Sequence, residues 1–128
     1  MLNLLGIDYG TKNIGLAKAN LAVSVVVPFG VIDNTNHAEA LKKIAAVVQE
    51  HRIDKIIAGL PLGLDGSENK NTARVKEFFD NLKKEINIPL EFVNEIFSSH
   101  ASDRMSGGAS RDEKSAMIIL QSYFDKIK

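Results

Sequence analysis

The chain has 128 residues, 45% hydrophobic and 25% charged, with 16 basic and 16 acidic side chains and no net charge; this fits one domain with one sizeable core, and a neutral balance argues mildly against nucleic acid, whose binding leaves a basic footprint. With no cysteine, a disulfide framework, a thiolate zinc site and a cysteine nucleophile are excluded. The longest apolar run, Leu21 to Phe29, is broken by Ser24 and Pro28 and is too short to span a membrane, and Met1-Leu2-Asn3 lacks the basic start of a signal peptide, so a cytoplasmic protein without a membrane partner is expected.

Leu2 to Asp8 reads as a first strand that ends in a carboxylate. A charge at the rim of a buried strand is costly unless something pairs with it. Gly10 to Asn13 follows as a turn, and Ile14 to Ala19 as a second strand; so short a connection makes the two antiparallel. Gly6, Gly10 and Gly15 allow close approach of backbone or ligand. The stretch therefore admits two readings, a carboxylate aimed at a metal or phosphate, or an ordinary Asp-Gly hairpin turn. Val23 to Val27 is β-branched and reads as a third strand, with Pro28 favouring an edge or a bulge and Gly30-Val31-Ile32 available to continue it.

Asn36 followed by Glu39 has the form of a capping box, and Leu41, Ile44, Ala45 and Val48 then recur at helical spacing. His37 reads as a first-turn surface residue, and His51 as a last-turn residue suited to the helix dipole. Lys55 to Leu60 is a short apolar strand, and Gly59 to Ser67 carries the glycine, proline and Asp-Gly cluster of a loop at its C-terminal end, where α/β sheets bind ligands. Asn71 or Thr72 is expected to cap a helix with Val75, Phe78, Phe79, Leu82 and Ile86 on one face. Ile88 to Glu95 reads as a fifth strand, with Glu91, Val93 and Glu95 sharing a face. Ser98 to Ser106 reads as a short helix. Ser110 and Glu113 form a second capping box that opens a last helix with Ala116, Ile119, Leu120, Tyr123 and Ile127 on its face and Asp112 in its first turn. There Asp112 suits the helix dipole whatever else it does.

Three strands in meander followed by right-handed β-α-β units give an α/β fold, a mixed five-stranded sheet with helices on its faces. The first, fourth and fifth strands can then lie parallel and adjacent, and Asp8, Glu95 and Asp112 can converge. Clustered carboxylates repel and raise one another's pKa unless a cation joins them. Oxygen-only ligands suit Mg²⁺ or Mn²⁺, and two such ions roughly 4 Å apart can activate water and stabilise the leaving oxygen of a phosphodiester.

Four segments, in this order, resemble the YqgF-type nuclease family, also called RuvX, of the RNase H-like superfamily. They are Gly6-Ile7-Asp8-Tyr9-Gly10-Thr11-Lys12 with Ile14-Gly15-Leu16-Ala17, then Gly59-Leu60-Pro61 with Asp65-Gly66-Ser67, then Thr72-Ala73-Arg74-Val75, and the tail from Asp112 to Phe124. The resemblance runs nearly end to end. It implies one RNase H-like nuclease domain over residues 1–128, metal-dependent phosphodiester cleavage with Mg²⁺ or Mn²⁺, and structured RNA as partner, the 5′ end of pre-16S ribosomal RNA. A four-way DNA junction is the alternative substrate. The family's acidic site falls on Asp8, Glu95 and Asp112, and Lys12 and Arg74 match its basic positions, assigned here to phosphate contact.

Two basic residues of the family pattern are missing, since Asn13 stands where arginine is usual after Lys12, and Asn94-Glu95-Ile96 stands where Asp-Glu-Arg is usual. The family's paired threonines are replaced by Phe97-Ser98-Ser99. Each lost phosphate contact should weaken binding and flatten its salt dependence, which leaves room for a non-catalytic nucleic-acid-binding module. Asp8-Tyr9-Gly10-Thr11 also resembles the phosphate loop of actin and Hsp70-type ATPases, which need two such lobes. Either a monomer or a homodimer is compatible with the sequence; symmetric junction cutting requires the dimer.

Overall fold

The structure is a computed structural model that describes residues 2–23, 25–63, 65–95 and 110–127, with Glu95 described by its backbone alone. The strands are β1 (Asn3–Asp8), β2 (Asn13–Asn20), β3 (Val25–Asp33), β4 (Lys55–Pro61) and β5 (Leu90–Glu95), and the helices among the described residues are α1 (His37–Glu50), α2 (Lys70–Lys83) and α3 (Arg111–Lys126). The short helix expected over Ser98 to Ser106 lies outside the described residues. No described helix is long and apolar enough to cross a membrane.

The five strands form one sheet in the order β3-β2-β1-β4-β5. The β1–β2 and β2–β3 pairs are antiparallel, while β1–β4 and β4–β5 are parallel. The expected mixed sheet is thus present, with β1, β4 and β5 adjacent and their C-terminal ends on one edge. At the outer edge, β3 runs unbroken through Pro28. The register passes from Gly15 opposite Val31 to Ala17 opposite Pro28, so Phe29 and Gly30 together face Leu16 as a bulge. An edge position and a bulge are the two places where proline's missing N–H costs a sheet least.

Alternation along β1 sorts the core into two layers. Leu5 and Ile7 join Ile14, Leu16, Ile44, Phe78, Phe79 and Leu82 between the sheet and α1 and α2. Leu4 joins Ala17, Ile57, Val93, Ala116, Leu120 and Phe124 between the sheet and α3. Phe79 is fully buried and meets Phe78 and Phe92 edge-on at 5.4 and 5.7 Å, the geometry that aromatic quadrupoles favour. The α3 layer packs closely on β1: a Cβ added at Gly6 would lie 2.6 Å from Leu120 Cγ and 2.9 Å from the Ala116 carbonyl oxygen. On the same layer Glu91 accepts from Lys55 Nζ at 2.8 Å and Lys126 Nζ at 3.0 Å, and Lys55 also donates to the Tyr123 hydroxyl at 3.1 Å. This network ties β4, β5 and α3 together.

The capping residues of α1 and α3 are those expected, with one bond of the expected box at α1 and both at α3. Asn36 accepts from the Glu39 amide at 3.1 Å, and Ser110 and Glu113 exchange both bonds of a capping box. The cap of α2 is Asn69 rather than Asn71 or Thr72. Its side chain accepts from both the Asn71 and Thr72 amides. Thr72 is the third helical residue of the box, and its buried hydroxyl donates to the Pro61 carbonyl at the end of β4. A hydroxyl taken by the preceding strand is not free to start the helix.

Candidate active site

Asp8 closes β1 on the edge where β4 and β5 also end. Its register partner on β2 is Gly15, and the backbone of Asp112 packs directly on Gly15, where a Cβ would collide with the Asp112 carbonyl. The absence of a side chain at position 15 therefore lets the first turn of α3 descend onto the sheet beside Asp8. Asp8 follows the Leu4 and Gly6 side of β1, the side that faces α3. Burial, and then the charge of Asp112, push the Asp8 carboxyl up to about 6. Two of the three sequence-derived acidic residues are thus brought together.

Glu95 ends β5 opposite Pro61, so its backbone stands on the same sheet edge; its side chain is outside the description. Among the described residues no group of three or more His, Cys, Asp or Glu side chains could hold a metal ion. The described part of the site is the Asp8 and Asp112 pair. Its donors are carboxylate oxygens in a partly desolvated place where like charges oppose each other, which is the chemistry of a hard divalent cation site.

Two features position this pair and were not read from the sequence as such. The first is Glu113, next to Asp112. One carboxylate oxygen accepts from the Ser110 amide at 3.0 Å, and the other accepts from the Gly30 amide on β3 at 2.7 Å. Those bonds, the Ser110 amide first and the Gly30 amide after it, hold the Glu113 carboxyl below the usual range. Gly30 has φ of +102°, which a side-chain-bearing residue rarely adopts, and this turns its amide out of the ladder toward the helix. The capping box was legible; its second oxygen, spent on the edge strand, left no mark in the sequence beyond Gly30 itself.

The second is Asn34, fully buried just after β3. Its amide nitrogen donates to the Gly10 carbonyl, and its backbone amide to the Lys12 carbonyl, both at 2.8 Å, which fixes the turn that leaves Asp8. Its side-chain oxygen is buried with no hydrogen-bond partner among the described residues.

The basic candidates separate. Lys12 is exposed in the turn, and Arg74 is exposed on α2, where it shares a groove with Tyr9 and Thr11 on the other side of the sheet edge. Asp65, in the loop after β4, accepts from the Ser67 amide at 3.0 Å and the Ser67 hydroxyl at 2.6 Å, so the Asp-Gly-Ser segment builds its own turn.

With this geometry in hand, similarity to known proteins is informative. The family described as "RuvX: Holliday junction resolvase" matches residues 2–126. A protein of Burkholderia mallei (strain SAVP1), named "Putative pre-16S rRNA nuclease", is 34% identical over 127 residues, 95% of this chain and 87% of the relative. One of the same name from Nitratidesulfovibrio vulgaris is 32% identical over 133 residues, 97% of this chain and 94% of its own length. Among solved structures, Thermus thermophilus RuvC bound to a Holliday junction superposes with a TM-score of 0.63 at 12% identity, covering 99% of this chain and 96% of that one. The fowlpox virus Holliday junction resolvase gives 0.61 at 14% identity, covering 99% and 100%. At such identities the structural likeness speaks for the fold, which is RNase H-like.

Proposed function

The chain belongs to the RuvX family, and from that premise we propose that it is a divalent-metal-dependent nuclease cutting structured RNA at the 5′ end of pre-16S ribosomal RNA, the substrate in its relatives' names. The observation that carries the reading is the seating of Asp112 on Gly15, the strand partner of Asp8. It supports the reading because the first strand and the last helix each then bring a carboxylate to one partly buried spot, near enough for the charge of Asp112 to act on Asp8.

Mg²⁺ or Mn²⁺ suits this donor set, with Asp8 and Asp112 as ligands and Glu95, at the end of β5, as the third. When bound, such ions supply activation of water and neutralisation of the charge that develops on the phosphodiester, in the manner of two-ion sites. The protein's own part is positional. Asp8 is fixed by the β1 ladder, Asp112 by the capping box and the Glu113 bond to β3, and the turn between β1 and β2 by Asn34. Lys12 and Arg74, at two places along the same sheet edge, are assigned to the phosphates that flank the cut. Glu95 needs no additional loop to reach the edge, because β5 ends there.

The test is cleavage of a pre-16S 5′-leader RNA beside a four-way DNA junction, each with Mg²⁺ and with Mn²⁺, and with Asp8→Asn as control. RNA cleavage lost in the variant supports the reading. A second reading, junction resolution, rests on the description of the family that matches the chain; paired symmetric nicks in the junction, made by a dimer, would favour it. Binding of both substrates with cleavage of neither would leave a non-catalytic binding module.

A further inference from the structure

On the α1 and α2 side of the sheet edge lies an open groove of about 450 Å³. We propose that it receives one unpaired nucleotide of the substrate strand, next to the phosphate cut at Asp8 and Asp112. This deepens the nuclease reading and rests on it.

The groove adjoins the site through the chain itself. Asp8 and Tyr9 are consecutive, and alternation sends Asp8 toward α3 and Tyr9 toward the opposite layer, where its ring meets Phe78 at 4.7 Å. A strand crossing the sheet edge passes from one side chain to the next. The lining is graded along the groove. β1 and β4 are parallel, and β3 runs the same way, so α1 and α2 both begin at the edge that carries Asp8. Thr11, His37 and Arg74 therefore form the end of the groove beside the site, its rim, and Leu41, Phe78 and Asn81 lie farther from the edge along the two helices, Phe78 buried and Asn81 exposed. The rim offers a hydroxyl, an imidazole and a guanidinium, which suit a phosphate. The farther part offers an apolar floor, which suits the face of a base.

Spacing on α2 fits the same ligand. Arg74 and Asn81 are seven residues apart on one helix face, about 10 Å along the axis, which is the span from a nucleotide's phosphate to the far edge of its base. Glu77, between them in the lining, repels a phosphate but accepts from a base N–H, so it enforces the same polarity, with phosphate at the rim and base farther along. A base in a duplex is stacked on both faces and cannot enter, so the groove selects an unpaired one.

The chain's intrinsic fluorescence gives a direct readout. It has two tyrosines and no tryptophan, and Tyr123 is buried in the α3 layer, so in a Tyr123→Phe background the emission comes from Tyr9 alone. With divalent ions chelated, a short single-stranded RNA and the same sequence in a duplex are titrated separately. The single strand is expected to quench Tyr9 and to bind roughly tenfold tighter than the duplex, the weight of one base stacked on an aromatic ring. Leu41→Trp, which fills the groove, should abolish that preference; because it adds a tryptophan beside Tyr9, its affinities are read from the anisotropy of end-labelled RNA rather than from Tyr9 emission. Asn81→Ala, on the exposed surface of α2 where folding is not at stake, should reduce it a few-fold, the weight of one hydrogen bond. Equal affinity for the two RNAs, or saturating binding that leaves Tyr9 emission unchanged, overturns the groove assignment. Quenching with the expected preference, but no cleavage when Mn²⁺ is restored, would overturn the nuclease reading and leave the groove standing.

Discussion

Asp8 is ionised at a cost. Its pKa rises from the ordinary carboxylate range to about 6 because burial, and then Asp112, disfavour the charge. The unfolded chain releases this proton more readily than the folded one, so the metal-free protein loses stability as pH rises from about 4 to 6 and stays at the lower level above that. Asp8→Asn carries no such charge. In chelator it should exceed the native protein in stability by on the order of 2–3 kcal/mol at pH 7.5, with the difference gone at about pH 3; urea unfolding at the two values measures it. Adding Mn²⁺ should raise the native protein's midpoint and not the variant's. A variant less stable than the native protein at pH 7.5 would show that Asp8 already has a protein partner for its charge. Asp8 itself was legible, as a carboxylate after an apolar run. Gly15 was noted as a point of close approach, but its neighbour was not legible, because contact between β2 and the first turn of α3 spans almost a hundred residues of chain. Gly15→Ala sets a methyl against the Asp112 carbonyl and should cost roughly 1–3 kcal/mol, the range for overpacking. Cleavage should fall further than that loss alone accounts for, since the atom displaced belongs to Asp112.

At the scale of elements, α3 is held by its first turn as well as by its apolar face. Glu113 serves two amides with two oxygens, one on its own helix and one on β3. Glutamine is a competent capping-box residue, but its single carbonyl oxygen can satisfy only one of these roles, and its amide group would oppose an N–H donor at the other. Glu113→Gln should therefore keep the helix and release the edge strand, losing about 1 kcal/mol, while Glu113→Ala loses about 2 kcal/mol as both bonds go. Amide hydrogen exchange at Gly30 is the local reporter and should accelerate in both variants; unchanged exchange in Glu113→Gln would mean the bond to β3 carries no weight. The elements themselves were mostly legible, because the apolar runs of β1 and β2, the two alternating faces of β5 and the helical spacing of Leu41, Ile44 and Val48 are local signals. The start of α2 was displaced by a local ambiguity: Asn69, Asn71 and Thr72 are all capping residues, and only the Pro61 carbonyl, eleven residues earlier, decides which of them is available.

For the molecule as a whole, the neutral charge bears on how the proposed substrate is held. Sixteen basic side chains balance sixteen acidic ones, and Lys55 and Lys126 are both committed to Glu91. Of the basic residues along the sheet edge, Lys12 and Arg74 are the two assigned to phosphates. Each phosphate neutralised adds about −0.7 to the slope of log affinity against log salt for a single strand and about −0.9 for a duplex. Two contacts therefore predict a shallow slope, roughly −1.4 to −1.8. Asn13 is exposed at the start of β2, beside Lys12, so a cation can be restored there without disturbing the core. Asn13→Arg should tighten RNA binding at low salt and steepen the slope by about one contact's worth, while Arg74→Ala should flatten it by the same amount. The affinities are measured across a salt series with divalent ions chelated, so that cutting does not intervene. A native slope near that of six or more contacts would mean that the phosphates are held chiefly by residues other than this pair. An Asn13→Arg slope equal to the native one would place the start of β2 outside the path of the strand, and with it the proposed route over the Asp8 edge.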